Sequence, residues 1–121
     1  MGEPEDTLRS LALHDEDVLR SVIAAGLDAP DTLAIDARTY ALVRVAVLMC
    51  LDGSTASYQS AVALALAAGA TAEDLFDTLK AVAALVGCAR VVTAAAALAT
   101  AIGYDIDAAL EEYDTAVIRR P

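Results

Sequence analysis

Glycines and capping residues divide this chain into apolar segments of helical length. No stretch alternates apolar and polar residues for long enough to indicate a strand. The pattern therefore predicts only helices, with a linker at 27–33 that contains Pro30. The first predicted segment is one or two short helices over 5–26 that end at Gly26. Four helices follow over about 36–52, 54–69, 71–86 and 88–102, and they end at Gly53, Gly69, Gly87 and Gly103, in that order. A last helix runs from Asp105 or Asp107 to Arg119 and Arg120.

Short polar residues mark where several of these helices begin. Residues 14–17 (His-Asp-Glu-Asp) open the second helix with acids that suit the positive end of the helix dipole. Ser54 can accept a hydrogen bond from the free amides at the start of its helix. Thr71 and Asp74 have the spacing of a capping box, with Asp in place of the usual Glu. Gly53 is expected to end the helix before Ser54.

The composition favours the same all-α fold. Apolar residues make up 58% of the 121 residues, about a quarter of the chain is alanine, and only six glycines and three prolines interrupt it. Alanine is the best helix former because it loses no side-chain entropy in a helix. We predict a single domain over residues 1–121, built as a bundle of about six to seven helices.

Three of the predicted helices lack a polar face. Residues 41–51 contain one polar side chain, Arg44, residues 61–68 contain none, and the helix that ends at residue 102 is nearly as apolar. A helix that is apolar all round must be buried all round. A chain of this size cannot surround three such helices with its remaining residues, so we predict an obligate homo-oligomer.

Residues 81–102 are long enough to cross a bilayer, but a buried helix is favoured. Alanine is weakly hydrophobic, Arg90 lies near the middle of the segment, and the flanks are acidic. A central arginine alone costs roughly 2.5–3.5 kcal/mol to insert. The amino terminus is acidic and lacks the apolar segment of a signal peptide. We expect no membrane association and a cytoplasmic location.

The charge and the cysteines exclude several classes of partner. The net charge is −10, from 18 acidic against 8 basic residues, so the phosphate backbone of a nucleic acid would be repelled. Cys50 and Cys88 lie in apolar runs and provide no disulfide framework. No Cys/His spacing matches a zinc site, and no glycine-rich phosphate loop occurs. The sequence predicts no metal and no cofactor.

Between residues 33 and 103 the chain resembles a known family. Four features follow one another along the chain: residues 35–39 (Ile-Asp-Ala-Arg-Thr), an apolar helix, residues 53–57 (Gly-Ser-Thr-Ala-Ser) and residues 67–75 (Ala-Ala-Gly-Ala-Thr-Ala-Glu-Asp-Leu). Their order resembles that in the carboxymuconolactone decarboxylase family, which includes the alkylhydroperoxidase D-like proteins. Gly87 also fits. The resemblance implies an all-helical domain with a helical hairpin and its following helix at the core. It also implies assembly as a trimer or hexamer.

The redox members of that family carry Cys-x-x-Cys at a helix start, a histidine four residues after the second cysteine, and a glutamate one helix earlier. The matching positions here hold Ser54 and Ser57 for the cysteines, Ala61 for the histidine, and Ala41 or Leu42 for the glutamate. Peroxide reduction needs a thiolate that is oxidised and then forms a disulfide, which a serine hydroxyl cannot do. The resemblance thus implies a member without the redox relay.

The decarboxylase members lack the cysteines but keep the histidine, which Ala61 replaces here. The one histidine, His14, lies outside the matched residues, although another subunit could bring it near. Cys50 and Cys88 do not restore the redox pair, because neither has a partner at a useful spacing. We assign no catalytic residues, and whether the chain is an enzyme stays open.

Six polar residues are candidates for lining a small pocket between helices: Ser54, Ser57, Tyr58, Gln59, Arg44 and Arg90. Each also has a purely structural interpretation. Ser54 is expected chiefly as an N-cap, and Tyr58 can simply bury its ring. For Arg44 and Arg90, which stand in apolar helices, we favour ion pairs over a role as the cation for a carboxylate ligand. The acids considered for these pairs, within one subunit or between subunits, are Asp52, Asp74 and Asp77.

Two functions are compatible with these residues. The first is a non-redox member of the family that binds, or acts weakly on, a small organic molecule in the inter-helix pocket. The alternative is a non-enzymatic oligomeric scaffold or partner-binding protein, in which the pocket holds no ligand.

Overall fold

The computed structural model describes residues 4–28, 30–104 and 106–118. All regular structure in these residues is helical, which confirms the predicted all-α fold. Seven α-helices are present in the described part of the chain, with one 3₁₀ turn (Pro30–Thr32) after the second. The α-helices are α1 (Pro4–Ala12), α2 (Glu16–Asp28), α3 (Ala37–Leu51), α4 (Thr55–Ala67), α5 (Ala72–Val86), α6 (Cys88–Ala101) and α7 (Ile106–Ile118).

The chain divides into two compact units, with the boundary after Ala37. In the first unit, α1 packs against α2, and α2 contacts the 3₁₀ turn. In the second unit, α6 packs on α4 and α5 and makes a smaller contact with α7. The buried core and the groove described below belong to the second unit.

The core of the second unit is built from one face of each contributing helix. From α3 it takes Ala41, Val45 and Met49, which recur every four residues and are fully buried. The other buried residues are Tyr58, Ala61, Val62, Ala65, Ala70, Leu75, Ala94 and Leu98. Because each helix buries a single face, apolar residues on the opposite faces of α3, α4 and α6 are exposed on the single chain.

The capping residues act as the sequence predicted. Ser54 is the N-cap of α4, and its Oγ accepts a hydrogen bond from the backbone N–H of Ser57 over 3.2 Å. The capping box of α5 is complete: Asp74 N–H donates to Thr71 Oγ1 over 3.0 Å, and Thr71 N–H donates to Asp74 Oδ2 over 2.8 Å. At the start of α2, Asp15 Oδ1 accepts from two amides of the first turn. These contacts satisfy amides that have no partner inside the helix.

Three of the predicted helix ends are confirmed by left-handed glycines. Gly69, Gly87 and Gly103 follow α4, α5 and α6 with φ values of 95°, 84° and 86°. Residues without a side chain reach this conformation at little steric cost. Gly87 therefore divides residues 81–102 between α5 and α6. No helix among the described residues is both long enough and apolar enough to cross a membrane.

One predicted helix end is wrong, and at a second the residue that ends the helix differs from the prediction. Helix α2 continues through Gly26 to Asp28, since one glycine in a helix costs only about 1 kcal/mol and does not stop it. After α3 the left-handed residue is Asp52, with φ of 53°, and not Gly53. Aspartate tolerates this conformation better than most side chains do. The predicted boundaries at Asp105 and at residues 119–120 lie outside the described residues.

Gly53 is needed for a different reason, which is close packing. A Cβ atom at this position would lie 2.6 Å from Leu48 Cδ2 and 3.0 Å from Leu48 Cβ. The turn from α3 into α4 thus passes directly over the side chain of Leu48, which no larger residue at position 53 would permit without a shift.

Candidate functional site

A groove of about 590 Å³ lies between α3 and α4 and opens to the surface on one side. This volume falls within the range of roughly 300–1,000 Å³ that small-molecule pockets occupy. Helix α3 lines it with residues one turn apart, and α4 does the same from the facing side. The lining residues are Val43, Arg44, Val47 and Leu48 of α3, and Ala56, Ser57, Ser60, Ala61 and Leu64 of α4.

Arg44 supplies the positive charge of this groove. Its Nη1 donates a hydrogen bond to Tyr40 Oη over 2.7 Å, and its guanidinium carbon lies 5.4 Å from the centroid of the Tyr40 ring. In the described part of the chain, no carboxylate lies within ion-pair distance of Arg44. The aromatic ring therefore positions the guanidinium, which keeps donors for an anion in the groove.

Two serines of α4, Ser57 and Ser60, line the same groove. Ser54 Oγ, which already accepts from the amide of Ser57, donates its own proton to Ser57 Oγ over 2.9 Å. Ser57 Oγ thus accepts within the protein and still has its own proton, which it can donate to a molecule in the groove. Ser60 lines the groove one turn later. None of the lining residues is acidic, so the groove combines donors with aliphatic walls.

The six candidate residues do not come together at one place. Arg44 and Ser57 line the groove, and Ser54 reaches it through its hydrogen bond to Ser57. The other three do not line it: Tyr58 is buried in the core, Gln59 is exposed on α4, and Arg90 lies on α6 near the end of α3.

The ion-pair interpretation is confirmed for Arg90. Its Nη1 lies 3.6 Å from Asp52 Oδ2 and also donates to the backbone carbonyl of Cys50. The guanidinium therefore ties α6 to the last turn of α3, where free carbonyls need donors. For Arg44 no such pair forms within the described part of the chain, where each acid that was considered pairs with another cation. A pair with an acid of another subunit stays a prediction. The observed pairs are Asp52 with Arg90, Asp74 with Arg38, and Asp77 with Lys80.

Tyr58 has a packing role. It is 2% exposed and is the largest of the fully buried side chains. Burial raises the pKa of the Tyr58 phenol above its ordinary value of 10.0, and the nearby Asp52 and Cys50 raise it further. The hydroxyl is accordingly neutral at physiological pH.

Sequence reasoning missed Ser60 and the aliphatic walls. The signal that could have found them is helical spacing, because Ser57, Ser60 and Leu64 share one face of α4. The same rule, applied from Arg44, leads to Val47 and Leu48 on α3. Spacing along one helix does not show which other helix lies across the groove.

Metal-binding residues are not clustered in the described ranges, where no three His, Cys, Asp or Glu side chains lie close enough to hold an ion. Cys50 and Cys88 are free thiols. His14 lies in the first unit, in a left-handed turn with φ of 60° after α1.

No protein-family model, no curated protein and no solved structure matches this chain.

Proposed function

We propose that this chain is a carboxymuconolactone decarboxylase-like protein without the redox relay, which binds a small organic molecule in the groove between α3 and α4. The observation that carries the proposal is the groove lining: one guanidinium, two hydroxyls, aliphatic walls and no acid. A molecule with a carboxylate at one end and a short apolar body would match these groups, since a guanidinium and a hydroxyl both donate to carboxylate oxygens.

The position of the groove supports the family resemblance. Two positions that the resemblance assigns to redox residues, Ser57 and Ala61, line the groove. A third, Ser54, is one hydrogen bond away. Because their spacings of three and four residues already place them on one face of α4, the groove adds only that this face borders a cavity.

The groups present at these positions favour binding over redox turnover. Hydroxyl oxygens at 54 and 57 cannot cycle between thiolate and disulfide. The methyl group of Ala61 neither accepts nor donates a proton. The guanidinium of Arg44 has donors and no acceptor, which suits it to hold an anion and not to act as a general base.

Calorimetric titration tests the proposal with two matched pairs of compounds: hexanoate against hexanamide, and benzoate against benzamide. We expect the carboxylates to bind and the amides to bind at least about tenfold more weakly, because a charge-assisted hydrogen bond contributes about 1.5–3 kcal/mol. Arg44→Met should weaken carboxylate binding by a factor of roughly 10–100 for the same reason.

The matched control is Arg20→Met, which removes an exposed arginine that pairs with Glu16 on α2. It should leave carboxylate binding unchanged. Equal binding of acids and amides, or an Arg44→Met protein that binds hexanoate and benzoate like the wild type, would contradict the proposal.

A second candidate function is assembly without a ligand. It is favoured by the exposed apolar residues of α3 and α4, among them Val43, Val47 and Leu64, which are 44–50% exposed at the mouth of the groove. Solvent-exposed apolar patches mark contact surfaces as well as ligand sites.

A further inference from the structure

The polar groups that line the groove lie toward its two ends. A turn of residues 52–54 joins the end of α3 to the start of α4, so the two helices run in opposite directions along the groove. Leu48 and Ser57 therefore lie beside the turn. Arg44, one turn earlier in α3, lies at the level of Ser60, one turn later in α4.

The positive charge of the groove is directed away from this turn. The Arg44 guanidinium donates to Tyr40 Oη, which belongs to the preceding turn of α3. Side chains of a helix lean toward its N-terminus, and the start of α3 is the end of the groove farthest from residues 52–54. A carboxylate that binds Arg44 is therefore held at the far end, where Ser60, and not Ser57, is the hydroxyl at the same level.

Ser57 is a separate hydrogen-bond donor beside the turn. Its Oγ is held by the proton of Ser54 Oγ over 2.9 Å, and Ser54 is itself fixed as the N-cap of α4. In the described part of the chain, the proton of Ser57 Oγ is donated to no acceptor. A group that accepts a hydrogen bond can therefore bind there without displacing a contact within the protein.

The two donors are too far apart for one carboxylate to contact both. Ser57 and Ser60 differ by about 4.5 Å along α4, and the reach of the guanidinium toward Tyr40 adds up to about one further turn of 5.4 Å. Arg44 and Ser57 thus present donors separated by about 5–10 Å. Val47 and Leu48 line the groove with aliphatic side chains along this interval.

We propose that the groove binds a keto acid: Arg44 and Ser60 donate to the carboxylate, and Ser57 donates to an uncharged carbonyl at the other end of an aliphatic chain. This inference rests on the proposed function and narrows the class of its ligand. A second carboxylate does not suit the turn end. Among the described residues that line the groove, Arg44 is the one cation, and the carboxylate of Asp52 lies in the turn itself.

Calorimetric titration of the wild type with heptanoate and its ketone derivatives tests this inference. We expect at least one of 4-, 5- and 6-oxoheptanoate to bind roughly three- to tenfold more tightly than heptanoate, since one neutral hydrogen bond is gained. The isomer 2-oxoheptanoate is the matched control, because its carbonyl adjoins the carboxylate and cannot reach Ser57. It should show no such gain, and neither should pimelate, the dicarboxylate of the same length.

The variant Ser57→Ala tests which residue donates to the ketone. In this variant the favoured isomer should lose its advantage over heptanoate. Thr115→Ala is the control variant, because it removes an exposed hydroxyl on α7 that donates to the carbonyl of Glu111 in its own helix. It should keep the advantage of the favoured isomer.

The possible outcomes separate this inference from the proposed function. If heptanoate binds and none of the three isomers binds more tightly, the inference is overturned while the proposed function stands. An equal gain for 2-oxoheptanoate or for pimelate overturns it as well, as does a folded Ser57→Ala protein that keeps the advantage. If none of these acids binds, both fail. The comparisons of compounds use the wild type, so they decide the inference even if Ser57→Ala does not fold.

Discussion

Arg38 and Asp74 connect the start of α3 to the start of α5 by a two-point contact. Arg38 Nη2 lies 2.6 Å from Asp74 Oδ1, and Arg38 Nε donates to Asp74 Oδ2 over 3.2 Å. Asp74 Oδ2 also accepts from the amide of Thr71 in the capping box. One carboxylate therefore caps α5 and fixes α3 against it. The hydrogen bond from Arg38, followed by that from Thr71, lowers the pKa of Asp74 from 3.8 to about 2.

This contact predicts an acid-sensitive contribution to stability. Because the pKa of Asp74 is lower in the folded chain than in the unfolded chain, the ionised carboxylate favours the fold. Its contribution is complete above about pH 4 and is lost as the pH falls toward 2. Melting temperatures followed by circular dichroism from pH 5 to pH 2 should fall more steeply for the wild type than for Asp74→Asn. Asparagine keeps an oxygen for the capping box but loses the ion pair.

The control for this experiment is Asp77→Asn. Asp77 pairs with Lys80 one turn away at 3.6 Å, and both side chains are well exposed. Exposed pairs of this kind contribute little to stability. The variant should follow the wild-type pH profile, and an Asp74→Asn protein that does the same would show that the Arg38 contact does not form.

The contact of Gly53 with Leu48 makes a second prediction. In Gly53→Ala, the new Cβ would lie within 3.2 Å of three atoms of Leu48, and relieving that overlap should destabilise the chain by about 1–3 kcal/mol. Chemical denaturation measures this loss. Shortening the obstructing side chain in the double variant Gly53→Ala/Leu48→Ala should make the effect of the alanine at position 53 smaller than it is alone.

Gly26→Ala is the matched control, because a Cβ at this position meets no atom within 4 Å and the residue lies inside α2. It should stabilise the chain by about 0.5–1 kcal/mol, through helix propensity alone. Equal and favourable effects of alanine at both positions would mean that Gly53 does not pack against Leu48.

The helices could be predicted from the sequence because their ends depend on local chemistry. Ser54, Thr71 and the left-handed glycines act through contacts within a few residues, and these contacts are readable from spacing. Gly26 and Gly53 were misjudged for one reason. A glycine can be tolerated within a helix or required by the close packing of another side chain, and the sequence looks the same in both cases.

The groove was only partly predictable because it depends on how two helices face each other. Ser57 was identified from the family resemblance and Arg44 from its isolation in an apolar helix. Arg44 lacks an acidic partner in the described ranges because Asp52, Asp74 and Asp77 are taken by other cations. That competition between distant residues is set by packing, which no local pattern records.

The geometry of Ser54 and Ser57 makes the last prediction, which tests the resemblance directly. Their hydroxyl oxygens lie 2.9 Å apart at the start of α4, and two sulfur atoms at these positions need to approach only a little further to form a disulfide. The variant Ser54→Cys/Ser57→Cys, made with Cys50 and Cys88 replaced by serine, should lose two thiols under mild oxidant and remain a single chain by mass spectrometry.

The same variant should not reduce peroxide with a dithiol donor, because Ala61 still supplies no imidazole to activate the thiol. Ser54→Cys/Ser60→Cys in the same background is the control. Its two cysteines lie six residues apart along α4, too far for a disulfide within one helix, so both thiols should persist. If the Ser54→Cys/Ser57→Cys protein also keeps both thiols, the start of α4 does not have the geometry of a redox pair, which would count against the proposed resemblance to the carboxymuconolactone decarboxylase family.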